Sequence, residues 1–357
     1  MSNEIKVIVV GAGNMGASHA RAYKQLNGFE LAGLVAPSSK RRSPLAKELG
    51  CVAEFNTLDE ALLKTKPDAV AICSYPDTHY SYTMQCLDYG AHVFLEKPIA
   101  ETVEQAKEIV SKAQAKNKKV VIGYILRHHP AWKKFIDVAQ TLGKPLVMRM
   151  NLNQQSSEVR WLTHLEMMKS MSPIVDCGVH YVDIMCQMTR SLPKQVQAIG
   201  ARLSDEINPD MYNYGQLQVV FEDNSVGWYE AGWGPMMSET AFFVKDVIGP
   251  KGSVSIMDPN TTKKTDSDEI DAHTKTNSLL LHESALNEEK AFIKKDTLID
   301  TSDEPDHQEL CNREQEYFLK AINDDLDLTE HLDDAVNSIR IVLAADESIR
   351  KSKIVML

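Results

Sequence analysis

The chain has 357 residues, of which 43% are hydrophobic and 25% charged, and carries a formal net charge of −11. That length exceeds what one hydrophobic core usually organises, so two domains are expected, and the acidic balance argues against nucleic-acid partners, whose phosphates need clustered Lys and Arg. No apolar run reaches membrane-spanning length and MSNEIKVIVV lacks the apolar core of a signal peptide, so a cytoplasmic protein with no membrane partner is expected.

From residue 5 to about 125, short apolar runs alternate with amphipathic stretches. KVIVV, ELAGLV, DAVAIC, HVFLE and KVVIGY read as buried strands, and ASHARAYKQL, SPLAKEL, LDEALLK, YSYTMQCLDYG and VEQAKEIVSKAQAK as helices. The pattern predicts an α/β fold, a doubly wound parallel sheet covered on both faces. After RHHPAW the runs lengthen and alternate: PLVMRMNLNQ, QVQAIGARL, GQLQVVF and VGWYEAGW, with EDNS as a hairpin turn between the last two. This predicts a second, α+β domain with a mostly antiparallel sheet and one helical insertion, SPIVDCGVHYVDIM. Residues 258–306 read as polar loop with edge strands near SLLLHE and FIKKDTLI, and two amphipathic helices close the chain. The expected domains are 1–125, dinucleotide-binding, and 126–357, substrate-binding and oligomerising, with the closing helix free to pack back on the first.

In KVIVVGAGNMGASHARAY, Gly11, Gly13 and Gly16 follow a strand and open a helix. Gly11 suits the tight turn, Gly13 the approach of a pyrophosphate, and Gly16 close helix–strand packing; Asn14 and Met15 complete the expected cofactor loop. Folds that prefer NAD place an acid at the end of the second strand, for the ribose 2′-hydroxyl. Here that strand runs into APSSKRRS. With no carboxylate to repel a 2′-phosphate, and Ser38, Ser39, Lys40, Arg41 and Arg42 to hold one, the expected cofactor is NADP, with NAD possible. The alternative is that SKRR is only a solvated first turn of helix.

HVFLEKP ends a strand in Glu96, Lys97 and Pro98, and SYPDTH brings Pro76, Asp77 and His79 to the same strand ends, where open parallel sheets bind ligands. In the inserted helix, Asp176, His180 and Asp183 are four and three residues apart, hence on one face, with Ser172 as N-cap and Pro173 in the first turn. Cys177 adjoins Asp176, but adjacent helical positions point to different faces, so without an identifiable activating partner it is not expected to be a nucleophile.

VIVVGAGNMG, EKP and DCGVHYVD, in this order, resemble the glucose-fructose oxidoreductase/inositol dehydrogenase/rhizopine-catabolism (Gfo/Idh/MocA) family, as do FEDNSVGWYEAGW, GPKGSVSI and the final helix. The resemblance implies an N-terminal Rossmann domain and a C-terminal domain with a large, mostly antiparallel open sheet. It also implies a homodimer or homotetramer joined through that sheet, and an NAD(P)-dependent enzyme acting on a ring secondary alcohol of a sugar or cyclitol. Carried over, Lys97 orients and stabilises charge, Asp176 is a partner, and His180 is the general acid or base. Lys97 and His180 are thereby placed at the substrate. Tyr124, Arg127, His128, Trp161 and Tyr181 are candidate contacts because polar and aromatic groups suit a polyol ring, Arg127 having the best family match. Trp161 suits core packing equally, and Asp183 either hydrogen-bonds substrate or pairs with the scaffold. Two departures stand out: KSMSP replaces the glycines many relatives carry before D-x-G-x-H, and the second-strand acid is missing.

Three other readings compete. One is an enzyme that retains its nicotinamide and oxidises its sugar transiently, for glycoside cleavage or coupled oxidation and reduction; another is a non-enzymatic nucleotide-dependent regulator. The third makes Asp176, His180 and Asp183 metal ligands; no metal is expected, because the nicotinamide supplies the redox chemistry.

Overall fold

The computed structural model describes residues 4–238, 244–257, 274 and 276–357. The chain divides into two compact units, Met1–Ile125 with Asp306–Val336, and Leu126–Pro305 with Asn337–Leu357.

In the first unit, strands and helices alternate: β1 (Ile5–Val10), α1 (Asn14–Gln25), β2 (Phe29–Val35), α2 (Ser39–Glu48), β3 (Glu54–Phe55), α3 (Leu58–Thr65), β4 (Ala69–Ile72), α4 (Pro76–Tyr89), β5 (His92–Glu96), α5 (Val103–Ala115) and β6 (Val120–Gly123). The strands form a parallel six-stranded sheet in the order β3-β2-β1-β4-β5-β6. Every residue of β4 and β6 is buried, as a sheet covered on both faces requires. Strand order reverses between β1 and β4, and the crevice beyond their carboxyl ends is where such sheets bind ligands. β3 was not expected, because two residues carry no readable period.

The second unit begins with α6 (Pro130–Thr141), β7 (Val147–Gln155), α7 (Glu158–Met167), α8 (Pro173–Asp176), α9 (Gly178–Thr189) and β8 (Pro193–Ala201). It continues with β9 (Tyr214–Phe221), β10 (Val226–Gly234), β11 (Lys245–Gly249), β12 (Gly252–Met257), β13 (Ser278–Glu283) and β14 (Thr297–Asp300). After α10 (His307–Asn323) and α11 (Thr329–Lys351) comes β15 (Val355–Met356). Among the described residues the strands form a nine-stranded sheet, β14-β13-β12-β11-β7-β10-β9-β8-β15, antiparallel except for the β7–β10 pair. The expected hairpin turn is present, with Asn224 at φ 65°; of the two strands expected at an edge, β14 is one, whereas β13 lies inside the sheet between β12 and β14. Residues 258–273 of the expected loop lie outside the described residues.

Three expectations need correcting. α7 is a second helical insertion that the sequence reading passed over. The helix expected across SPIVDCGVHYVDIM is broken at Cys177 into α8 and α9, although Ser172 does cap it, its Oγ accepting from the Val175 N–H at 3.2 Å. And α10, with the start of α11, falls in the first unit: α10 lies against α1, where Tyr23 donates its hydroxyl to Gln315, and its Phe318 ring is 6.3 Å from that of Phe29 at the start of β2. The helix that packs back is therefore chiefly the penultimate one. Among the described residues, no helix is long and apolar enough to cross a membrane.

Candidate active site

The glycine loop lies at the reversal of strand order. Gly11 has φ 104°, a conformation that favours glycine, and a Cβ there would sit 2.3 Å from the Cys73 carbonyl oxygen. A Cβ at Gly16 would meet the Gly11 oxygen at 2.1 Å, so only glycine lets α1 start this close to the loop. Gly13 differs: it precedes α1, has no side chain to cap the helix, and nothing lies within 4 Å of an added Cβ. Space and undirected helix N–H groups therefore coincide there, and they fit a dinucleotide pyrophosphate. Asn14 is exposed and Met15 half-buried beside this space.

At the end of β2, Ala36 and Pro37 lead to Ser38, whose Oγ accepts from the Lys40 N–H at 3.3 Å and caps α2. Ser38, Ser39, Lys40 and Arg41 are exposed. Arg42 is not. It is buried, and its guanidinium donates to Glu54 Oε2, the Phe55 oxygen and Asn56 Oδ1, each at 2.9 Å, and to the Ala36 oxygen. Arg42 thus fastens the ends of β2 and β3 instead of offering its fork to a phosphate, which corrects the equal footing given to Arg41 and Arg42. Adjacent helical positions point about 100° apart, so one basic pair can serve two purposes.

Glu96 ends β5 and is buried, Lys97 is half-buried, and the Lys97–Pro98 bond is cis. Glu96 Oε1 lies 2.7 Å from His19 Nε2, and its Oε2 accepts from the Lys97 N–H at 3.3 Å. His79 faces carbonyl oxygens with both ring nitrogens, Pro98 at 2.7 Å and Ser74 at 3.1 Å. Burial pushes its pKa down, which favours the neutral ring, with one N–H to give. His79 therefore braces the turn, not a ligand. Pro76 is the first residue of α4, half-buried, and Asp77 is exposed. Tyr124, just past β6, is buried.

In the second unit, the turn between α8 and α9 is tightened, with the His180 N–H bonded to the Cys177 oxygen at 3.2 Å, and a Cβ on Gly178 would stand 3.0 Å from Tyr229 Cε1, a tight contact that suits glycine there. His180 is 8% exposed and Asp183 1%. Asp183 is clamped by Arg127, whose Nε donates to Oδ2 at 2.8 Å and whose Nη2 donates to Oδ1, while Gln187 Nε2 adds a bond to Oδ2 at 2.8 Å. Two candidate substrate contacts are thus brought together as a bidentate ion pair, Asp183 buried and Arg127 half-buried, whose first consequence is to fix the face of α9 that carries His180. Trp161 is buried and donates from Nε1 to Glu206 Oε1 at 3.2 Å. Tyr181 is a core residue, stacked on Tyr229 at 5.0 Å, and burial pushes both phenols well above their ordinary range.

The structure adds Gln154, His164, Trp233 and Tyr229 to these residues, and it brings the Cys177 thiol beside Asp176, where different faces were expected. Cys177 Sγ lies 3.6 Å from Asp176 Oδ2 and 3.5 Å from Gln154 Oε1, which also accepts from Trp233 Nε1 at 2.8 Å. The His164 ring stacks on Trp233 at 4.5 Å. Among the described residues the buried Tyr229 hydroxyl finds no hydrogen-bond partner, which leaves a polar atom for water or ligand. The signal that would have found Gln154 and Trp233 is the β7–β10 register, which pairs them directly; separate strands do not reveal it.

A dinucleotide cradle in a doubly wound sheet, joined to a unit with a large mixed sheet, defines a class of two-domain nicotinamide oxidoreductases. Residues 5–124 match the oxidoreductase family with an NAD-binding Rossmann fold and residues 132–255 match the Gfo/Idh/MocA C-terminal domain; the chain belongs to the Gfo/Idh/MocA family. It is 26% identical to the D-glucoside 3-dehydrogenase of Escherichia coli K12 over 71% of this chain and 78% of that protein. It is likewise 26% identical to the scyllo-inositol 2-dehydrogenase (NAD(+)) of Bacillus subtilis 168, over 72% of this chain and 75% of that protein. The solved scyllo-inositol dehydrogenase of Lactobacillus casei, with NAD(H) and scyllo-inositol bound, has the same fold, with a TM-score of 0.77, 20% identity and 99% of each chain covered.

Proposed function

We propose that this protein is an NAD(P)-dependent oxidoreductase acting between a ring secondary alcohol and the corresponding ketone of a sugar, sugar derivative or cyclitol. The observation that carries the reading is the open cradle at Gly13 in a chain of an oxidoreductase family. The bound nicotinamide supplies the hydride acceptor or donor. The chain's own residues manage the oxygen and its proton. His180 takes the hydroxyl proton on a ring nitrogen as the carbonyl forms and returns it in reduction, since imidazole titrates near neutral pH. The Lys97 ammonium stabilises the negative charge that develops on that oxygen. Asp176 orients His180, and Arg127 with Asp183 keeps α9 in place; Tyr124 and Trp161 complete the substrate-contacting set.

The finer preference, NADP over NAD, rests on the exposed Ser38, Lys40 and Arg41. Lys40 and Arg41 lie in the first turn of α2, which has no acid, so positive side chains add to the positive end of the helix dipole. A 2′-phosphate relieves that repulsion at about 0.3–1 kcal/mol per charge.

A homodimer or homotetramer is proposed on the open sheet face, where Val147, Val226 and Ile248 are neighbours in register and 37–40% exposed. None of the six cysteines is in a disulfide, which suits the reducing cytoplasm as its compartment.

The test is the absorbance of reduced nicotinamide when purified protein meets NADP or NAD and a panel of sugars, sugar derivatives and inositols. Turnover with one substrate class is the expected result. A panel without turnover, from protein that binds the cofactor, contradicts the dehydrogenase reading.

A further inference from the structure

The first unit holds a buried polar chain that the reading above does not use. Tyr23 donates its hydroxyl to Gln315 Oε1, and Gln315 Nε2 lies 2.8 Å from His19 Nδ1. His19 Nε2 lies 2.7 Å from Glu96 Oε1, and the Lys97 N–H reaches Glu96 Oε2 at 3.3 Å. Every donor has one direction available. Tyr23 gives to the Gln315 oxygen, so the Gln315 amide gives to Nδ1, so the imidazole carries its proton on Nε2 and gives it to Glu96. His19 and Gln315 are fully buried, and the His19 ring packs on Phe94 at 4.7 Å. Such a chain leaves Glu96 one orientation.

We propose that His19 is a positioning residue for Lys97: standing on the helix that follows the glycine loop, it fixes the Glu96 carboxylate and through it the backbone from which the Lys97 side chain springs. The cofactor helix and the EKP turn are then set by one hydrogen-bonded chain, and His19 touches neither substrate nor nicotinamide. A competing use of the same residues is a metal site, because ligand atoms of His19, Cys311 and Glu314 lie within 4.8 Å of one another. The hydrogen bonds argue against it: both imidazole nitrogens already have partners, and a metal would have to displace Glu96 or Gln315. Glu314 also points the same way, since burial, with the Glu96 charge adding, raises its pKa well above the carboxylate range and favours the neutral acid.

This inference rests on Lys97 acting in catalysis as proposed above, so its test has one arm that needs no substrate. Hydrogen exchange at the Lys97 amide, followed by mass spectrometry on the whole chain, is expected to quicken at least about tenfold in His19→Leu and to return toward the parent rate in His19→Gln, whose amide can still donate to Glu96. Unchanged exchange in His19→Leu overturns the proposal, and so does a stoichiometric metal in the purified protein. In the activity arm, His19→Leu should lower kcat about tenfold to hundredfold, the scale of a small misplacement, with KM and reduced-nicotinamide affinity within about threefold of the parent. In a Lys97→Ala background the same change should cost less than about twofold, because the residue it serves is gone. Equal losses in both backgrounds, or a loss of cofactor affinity as large as the loss of kcat, overturn it. Absence of turnover in the parent protein would count against the proposed function, and the exchange arm would still decide the role of His19.

Discussion

The two sheets place chemistry in different ways. In the first, strands such as β4 and β6 are buried along their whole length, so reactive groups can appear only where strands end: the glycine loop after β1, Ser38 to Arg42 after β2, Lys97 after β5. In the second, β9 alternates between buried and more open positions, and mid-strand or near-end side chains such as Gln154 and Trp233 can meet the helices laid on one face. A site built at strand ends is largely a matter of backbone; a site built on a sheet face depends on which strands pair. The first is written in local sequence, the second in long-range register.

The sharpest way to break the comparison is to remove side-chain chemistry in the second unit and leave the first intact. His180→Ala is expected to lower kcat by about a hundredfold to ten-thousandfold while reduced-nicotinamide fluorescence titration gives an affinity within about threefold of the parent. Unchanged turnover would take His180 out of the mechanism. The converse change acts on the first unit. Because an added Cβ at Gly13 meets no protein atom within 4 Å, Gly13→Val should leave the melting temperature nearly unchanged yet weaken cofactor binding by about a hundredfold, the worth of two charge-assisted hydrogen bonds. An unaltered cofactor affinity would mean that the pyrophosphate lies elsewhere.

A third test separates two neighbouring arginines. Arg41→Ala should weaken NADP about tenfold and leave NAD alone, whereas Arg42→Ala, which strips Glu54, Phe55 and Asn56 of a shared partner, should lower the melting temperature and weaken both cofactors alike. Equal effects of Arg41→Ala on the two cofactors would defeat the 2′-phosphate argument.

The smallest expected effect concerns Glu314, a carboxyl that burial holds well above its usual range. The folded chain keeps a proton that the unfolded chain releases, so this group's contribution is complete at low pH and lost as pH rises toward the raised value. Glu314→Gln removes that slope. It should raise the melting temperature by roughly 2–4 °C at pH 8 and by less at pH 5, as read by calorimetry; a drop at pH 8 would mean that the carboxyl is needed in ionised form.

Much of this was legible beforehand, for reasons that differ residue by residue. The glycine loop and EKP turn were readable because close backbone approach leaves glycine, and a strand end leaves apolar residues followed by polar ones. Both of the chain's closing helices followed from their three-and-four spacing. The α8–α9 break was not readable, since Cys177 keeps helical dihedrals (φ −86°, ψ −40°) and the three-and-four spacing runs on across it. Arg42 looks like Arg41 until its four acceptors are in place, and the sequence leaves Asp183 open between substrate and scaffold because the Arg127 that clamps it is distant in sequence. His19 reads only as one position of an amphipathic helix, because its partner Gln315 lies 296 residues away.

The central claim is that hydrogen passes directly from a ring carbon to the nicotinamide while its oxygen's proton passes to the protein. The most direct measurement is to oxidise the substrate found in the panel in deuterated water and analyse the reduced nicotinamide by mass spectrometry. The account predicts no deuterium at its C4 position, the transferred hydrogen having come from the substrate carbon. Deuterium there at the solvent level would contradict it.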